Sequence, residues 1–188
     1  MRANTESLDR ALDHVPAIAM VHAERADWGM HTASACVAAG FTILAIGEDT
    51  PSASHIIASV SARPDMIVGL ARTRSASAAK EALESGATFL MSAVSCSEVA
   101  QVASEANVPW IAGAMSPNEI DHAMKLGADL VQLYPIATIG GPLYVRLMSD
   151  LFPEVAFVAG GGIGGDRLSA YFEAGARAVS LSEALYSR

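Results

Sequence analysis

Four helix exits in this chain have the same form. Ala39-Gly40-Phe41, Ser85-Gly86-Ala87, Leu126-Gly127-Ala128 and Ala174-Gly175-Ala176 each put glycine just past a helical stretch and just before an apolar run. Glycine suits the left-handed conformation that ends a helix. The apolar runs are short and number eight: 16–21, 42–46, 66–70, 88–91, 110–114, 130–133, 156–159 and 178–181. They do not alternate strictly, as expected for strands buried on both faces. Helical patterns lie between them. Thr50-Pro51 predicts an N-cap followed by proline at the first helical position. Ser116-Pro117-Asn118-Glu119 has capping-box spacing. Ser95 or Ser97 is expected to cap the helix that contains Glu98 and Val99. Eight βα steps predict an α/β fold, a (β/α)8 TIM barrel, with a doubly wound sheet as the alternative. Residues 7–14 predict a short extra helix before the first strand. After the last run only Glu183-Ala-Leu-Tyr-Ser-Arg188 remains. The eighth helix is therefore expected to be missing or truncated, and the apolar seam to be covered by a neighbouring subunit or by the N-terminal helix. A shortened chain is the simpler alternative.

At 188 residues the chain is expected to be one domain, 1–188, large enough for a full core. Hydrophobic residues make up 52% and charged residues 17%, so polar surface is scarce for a monomer and a homo-oligomer is expected. The net charge of −8 and the lack of a Lys/Arg cluster argue against nucleic acid. No apolar run reaches membrane-spanning length, and the polar N-terminus shows no signal peptide. Cys36 and Cys96 have no metal spacing and read as reduced thiols of a cytoplasmic protein. No cofactor is expected, and no ligand spacing demands a metal.

Barrel chemistry belongs at the carboxyl ends of strands. His22 follows the first strand, and is either a general base or a hydrogen-bonded structural histidine. Glu48 and Asp49 follow the second; two carboxylates in one loop suit acid/base work, and solvated loop charges are the alternative. Arg72 follows the third, and either grips a substrate carboxylate or pairs with Glu48 or Asp49. Ser92 ends the fourth. Gln132 and Tyr134 belong to the sixth. The seventh runs into Gly160-Gly161-Gly162-Ile163-Gly164-Gly165, and Ser182 and Glu183 end the eighth. Met20, Met91 and Met115 lie near strand ends and suit either a pocket wall or the core.

Tyr134-Pro135, Gly140-Gly-Pro-Leu-Tyr-Val145 and Phe157-Val-Ala-Gly-Gly-Gly-Ile163 carry a resemblance that extends over most of the chain. With support from Ile67-Val-Gly69 and Pro109-Trp-Ile-Ala-Gly113, the chain resembles the KDPG/KHG aldolases (2-keto-3-deoxy-6-phosphogluconate and 4-hydroxy-2-oxoglutarate aldolases). That resemblance implies the barrel and a trimer. It also implies an imine-forming lysine, but Gln132 stands at that position and cannot form an imine. The family's general acid/base glutamate corresponds to Ala45, the arginine after it to Asp49, a threonine to Arg72 and a proline to Ala93. Its phosphate-binding Gly-Gly-Ser corresponds to Leu181-Ser182-Glu183. The strand-7 glycines remain as Gly161 and Gly162. Imine catalysis needs an amine made nucleophilic near neutral pH. The chain's two lysines, Lys80 and Lys125, fall in helical stretches.

The expected function is a barrel enzyme without imine chemistry. Glu48, Asp49, His22 and Glu183 are the candidate proton-moving groups. Arg72, Gln132, Tyr134, Ser92, Gly161 and Gly162 are the candidate contacts to a small carboxylate- or carbonyl-bearing substrate. Isomerase, dehydratase, cyclase and lyase reactions all fit. A non-catalytic paralogue serving as a binding or scaffold subunit is the first alternative. A metal-dependent lyase using His22 and carboxylates is the second.

Overall fold

The computed structural model describes residues 3–182 and Leu185. Eight parallel strands close on themselves in sequence order: β1 Ala17–Val21, β2 Ile43–Gly47, β3 Ile67–Ala71, β4 Phe89–Met91, β5 Trp110–Ala114, β6 Leu130–Leu133, β7 Phe157–Gly160 and β8 Ala178–Leu181. The closing seam pairs Ile18 with Ser180 and Ala19 with Leu181. The expected (β/α)8 barrel is therefore the observed fold, and the doubly wound alternative falls because that sheet would stay open.

The helices are α1 Ala3–His14, before the barrel, and then α2 Ala26–Ala38, α3 Ala53–Ser61, α4 Ala76–Glu84, α5 Ser97–Glu105, α6 Pro117–Lys125, α7 Pro142–Leu151 and α8 Leu168–Glu173. All four exit glycines have left-handed backbones, with φ of 91° at Gly40, 101° at Gly86, 87° at Gly127 and 102° at Gly175. A side chain there would crowd its own carbonyl. The capping box at α6 is complete: Ser116 accepts from the Glu119 amide, and the Glu119 carboxylate accepts from the Ser116 amide.

Two capping expectations need correction. Ser52, in a left-handed conformation, begins α3. Thr50 instead turns its buried hydroxyl to the Val21 carbonyl and the Ala23 amide, 3.4 Å from each. Cys96 begins α5, and Ser95 donates to the Gly113 carbonyl at 3.2 Å.

Strand alternation sorts the apolar residues into two clusters. Leu44, Ile46, Val68, Leu90, Trp110, Val131 and Phe157 face outward against the helices. Ile18, Ile43, Ala45, Phe89, Met91, Ile111, Leu130, Val158 and Ala178 fill the barrel. Leu8 and Leu12 of α1 belong to this inner cluster and are fully buried. The N-terminal helix thus plugs the barrel itself. Apolar side chains open at a barrel end need a lid, and α1 supplies it. Arg177 holds it there, donating to the Asp9 carbonyl at 3.0 Å and to the Asp13 carboxylate at 2.6 Å. Residues 183–188, where the eighth helix was expected to be missing or truncated, lie, apart from Leu185, outside the described residues. No helix of the described residues is long and apolar enough to cross a membrane.

Candidate active site

A cavity of about 340 Å³ opens at the carboxyl ends of the strands. That is the size of small-ligand sites and the place where barrels keep their chemistry. Inward positions at the ends of four strands line it: Met20 of β1 and His22 after it, Met91 of β4 and Ala93 after it, Gln132 of β6 and Tyr134 after it, Ser180 of β8 and Ser182 after it. Gly161 and Gly162 supply backbone on the β7 side, and Arg72 closes the rim.

Gln132 is buried, and its amide nitrogen donates to the Ser180 hydroxyl at 2.7 Å. This contact spans β6 to β8, across β7. It exists because β7 presents a glycine there: Gly160 is in register with Ser180, and a Cβ on Gly160 would collide with both the Gln132 amide and the Ser180 hydroxyl. One of the two amide hydrogens is used on Ser180, and a primary amide has a second.

Arg72 reaches the mouth through its backbone. The inward residues of β3 are odd-numbered, with Ile67 and Ala71 in the inner cluster. Arg72 breaks that alternation with φ 58°, a conformation that non-glycine residues seldom adopt. Its guanidinium meets Asp49 Oδ2 at 3.1 Å. The other carboxylate oxygen, Oδ1, is 3.1 Å from His22 Nδ1. One carboxylate thus joins two residues of the cavity wall.

The same alternation removes two of the expected residues. Glu48 points away from the cavity and accepts from the Arg74 amide at 2.7 Å and the Ser75 hydroxyl at 3.4 Å. It borders a separate groove with Pro51, His55 and Glu81. Ser92 is fully buried on the outward side and accepts from the Trp110 indole at 2.9 Å. Met115 is half exposed and stands outside the cavity wall. Glu183 lies outside the described residues. Ser180, and the role of Gly160 in admitting its contact with Gln132, escaped the sequence reading, because the pairing spans three strands; the inward even-numbered positions of β8 were the available signal. Among the described residues no three His, Cys, Asp or Glu side chains are placed to hold a metal ion.

Fold and site together define a (β/α)8 barrel with a small cavity of mixed polar and apolar lining at its carboxyl mouth. The chain belongs to the KDPG and KHG aldolase family, whose model matches residues 8–186. The 2-dehydro-3-deoxy-phosphogluconate aldolase of Treponema pallidum is 27% identical, over 86% of this chain and 77% of that protein. The corresponding enzyme of Pseudomonas aeruginosa is 29% identical, over 74% of this chain and 64% of its own length. Among solved structures, a 4-hydroxy-2-oxoglutarate/2-dehydro-3-deoxyphosphogluconate aldolase superposes with a TM-score of 0.82 at 25% identity, covering 100% of this chain and 92% of that one. The KDPG aldolase of Legionella pneumophila, solved with pyruvate captured as a covalent carbinolamine, gives a TM-score of 0.82 at 22% identity, over 95% of this chain and 90% of its own, a likeness of fold.

Proposed function

We propose that this aldolase-family barrel acts on a small 2-oxo acid, or a similar molecule bearing both carboxylate and carbonyl, by acid/base catalysis without an imine. One observation carries the reading: the cavity wall has Gln132, Arg72 and His22 and no lysine. Lys80 on α4 and Lys125 on α6 are exposed on the outer helices.

Arg72 offers a planar fork for the substrate carboxylate. Gln132 supplies an amide hydrogen where the carbonyl oxygen would sit. His22 takes a proton from the carbon next to the carbonyl; the C–H electron pair moves into the new carbon–carbon double bond, and the negative charge comes to rest on the oxygen facing Gln132. Return of the proton to the opposite face of the same carbon gives an isomerase outcome, as does its return to the former carbonyl carbon where the neighbouring carbon bears a hydroxyl that loses its proton and becomes the new carbonyl. Expulsion of a leaving group, with its bonding pair, from the carbon next to the deprotonated one gives a lyase outcome. Met20, Met91 and Ala93 give the carbon chain an apolar bed. The lyase chemistry named for the relatives fits this class.

The test uses pyruvate twice. Borohydride treatment followed by intact mass is expected to leave the protein without an adduct; a covalent adduct sinks the imine-free reading. In D2O the protein is expected to exchange the methyl protons of pyruvate, followed by proton NMR. A non-catalytic subunit is the second reading; the resemblance favours it, since it implies that Ala45, Asp49 and Ala93 replace the family's glutamate, arginine and proline. Ligand binding without proton exchange selects it.

A further inference from the structure

We infer that Asp49 is a positioning carboxylate shared by His22 and Arg72, which fixes the histidine tautomer and yields Arg72 to the carboxylate of an incoming substrate. This rests on the function proposed above and adds a division of labour to it.

Three observations carry the inference. Asp49 touches both residues through different oxygens, Oδ1 to His22 Nδ1 and Oδ2 to Arg72, each at 3.1 Å. His22 and Arg72 line the cavity, whereas Asp49 stands behind them and borders the neighbouring groove. The loop that carries Asp49 is also anchored: the Thr50 hydroxyl, one residue on, is buried and ties the β2–α3 loop to the Val21 carbonyl and the Ala23 amide.

The chemistry follows from donor and acceptor roles. An ionised carboxylate only accepts, so the His22 nitrogen facing it carries the hydrogen. In the neutral ring the other nitrogen, Nε2, then holds the lone pair that takes a proton. Arg72 is in a different position. Its pair with Asp49 is half exposed, with side-chain exposures of 50% and 44%, and such pairs are weak. A substrate carboxylate in the cavity competes with Asp49 Oδ2 for the guanidinium. The exchange costs little, and afterwards Asp49 still holds His22. Acids are thereby selected over neutral carbonyl compounds.

The probe for binding is oxamate, a 2-oxo acid mimic with no transferable carbon-bound proton. Asp49→Ala is expected to bind oxamate about two- to five-fold more tightly than the wild type, the worth of one half-exposed ion pair. Nitrogen-15 spectra of the His22 ring should show the Nδ1–H tautomer in the wild type and a mixture in Asp49→Ala. Pyruvate proton exchange should fall at least roughly tenfold in Asp49→Ala. Asp49→Asn retains an acceptor for Nδ1–H without the charge, so it should recover the tautomer and part of the exchange while keeping the tighter binding. Weaker or equal oxamate binding by Asp49→Ala overturns the inference, as does an unchanged His22 tautomer. Failure of oxamate to bind wild type and Asp49→Ala alike overturns it too. If the binding and tautomer effects appear but no variant exchanges pyruvate protons, the acid/base function fails and the role of Asp49 stands. Both variants lie on a half-exposed loop, and far-UV circular dichroism checks their folding.

Discussion

At the scale of single residues, the candidate site depends on a position without a side chain. Gly160 lets Gln132 reach Ser180 across β7. Gly160→Ala forces two buried polar groups apart in a packed barrel. Overpacking of this kind costs about 1–3 kcal/mol. Chemical denaturation is expected to show that loss, and oxamate binding should weaken with it; unchanged values in both would remove Gln132 from the site. Alternation also explains which candidates were legible. Gln132 and Tyr134 share parity with Leu130 and face inward with it. Asp49 and Glu48 are neighbours of similar chemistry in the sequence, and only their parity along β2 separates a residue behind the cavity wall from one tied to the Arg74 amide. Ser92 fails for the same reason, one position short of Ala93. Arg72 is the exception. Its left-handed backbone breaks parity, and nothing local in Ala71-Arg72-Thr73 announces that.

At the scale of elements, helix caps and the α1 plug each contribute a separable share of stability. The box at the start of α6 satisfies two end amides reciprocally. Ser116→Ala is expected to cost about 1 kcal/mol in a denaturation experiment. The Met115 and Ser116 amides hold the Glu119 carboxyl below its ordinary value of 4.5. The folded form therefore binds that proton less readily than the unfolded chain. Its stabilising contribution is complete above about 4.5 and is lost as the pH falls through the lower folded value. Glu119→Gln should flatten this part of the acid-denaturation curve; an unaltered curve would argue against the assignment. Leu12 on α1 is fully buried at the barrel floor. Leu12→Ala is expected to cost about 2–5 kcal/mol in stability. Pyruvate exchange measured below the melting point should stay at the wild-type rate, because the floor lies at the end opposite the cavity. These helix ends were partly visible in the sequence. Ser116-Pro117-Asn118-Glu119 and the four exit glycines act through neighbours in the chain. Thr50 was misassigned because its partners, Val21 and Ala23, lie one strand away.

At the scale of the whole molecule, α7 presents an apolar stripe. Leu143, Leu147 and Leu151 recur at helical spacing with exposures of 65%, 52% and 56%. Leucines so exposed on one face favour burial against another chain. We propose a homo-oligomer, with the trimer implied by the family resemblance as its expected form. Leu147→Arg should lower the mass found by sedimentation velocity; a monomeric wild-type protein would end the proposal. The closed barrel was legible because its cause is repetition. Eight short apolar runs separated by capped helices leave few ways to bury both faces of every strand. The place of α1 was not, since Leu8 and Leu12 could serve any apolar surface until closure left a floor to be plugged. By itself the sequence determined the succession of strands and helices along the chain, the helix exits, the capping box and the glutamine at position 132, all set by local conformation and alternation. Only the tertiary structure decided that Asp49 joins His22 to Arg72 and that Gln132 meets Ser180. Those contacts span 27, 23 and 48 positions, and barrel closure brings them together where no local rule acts.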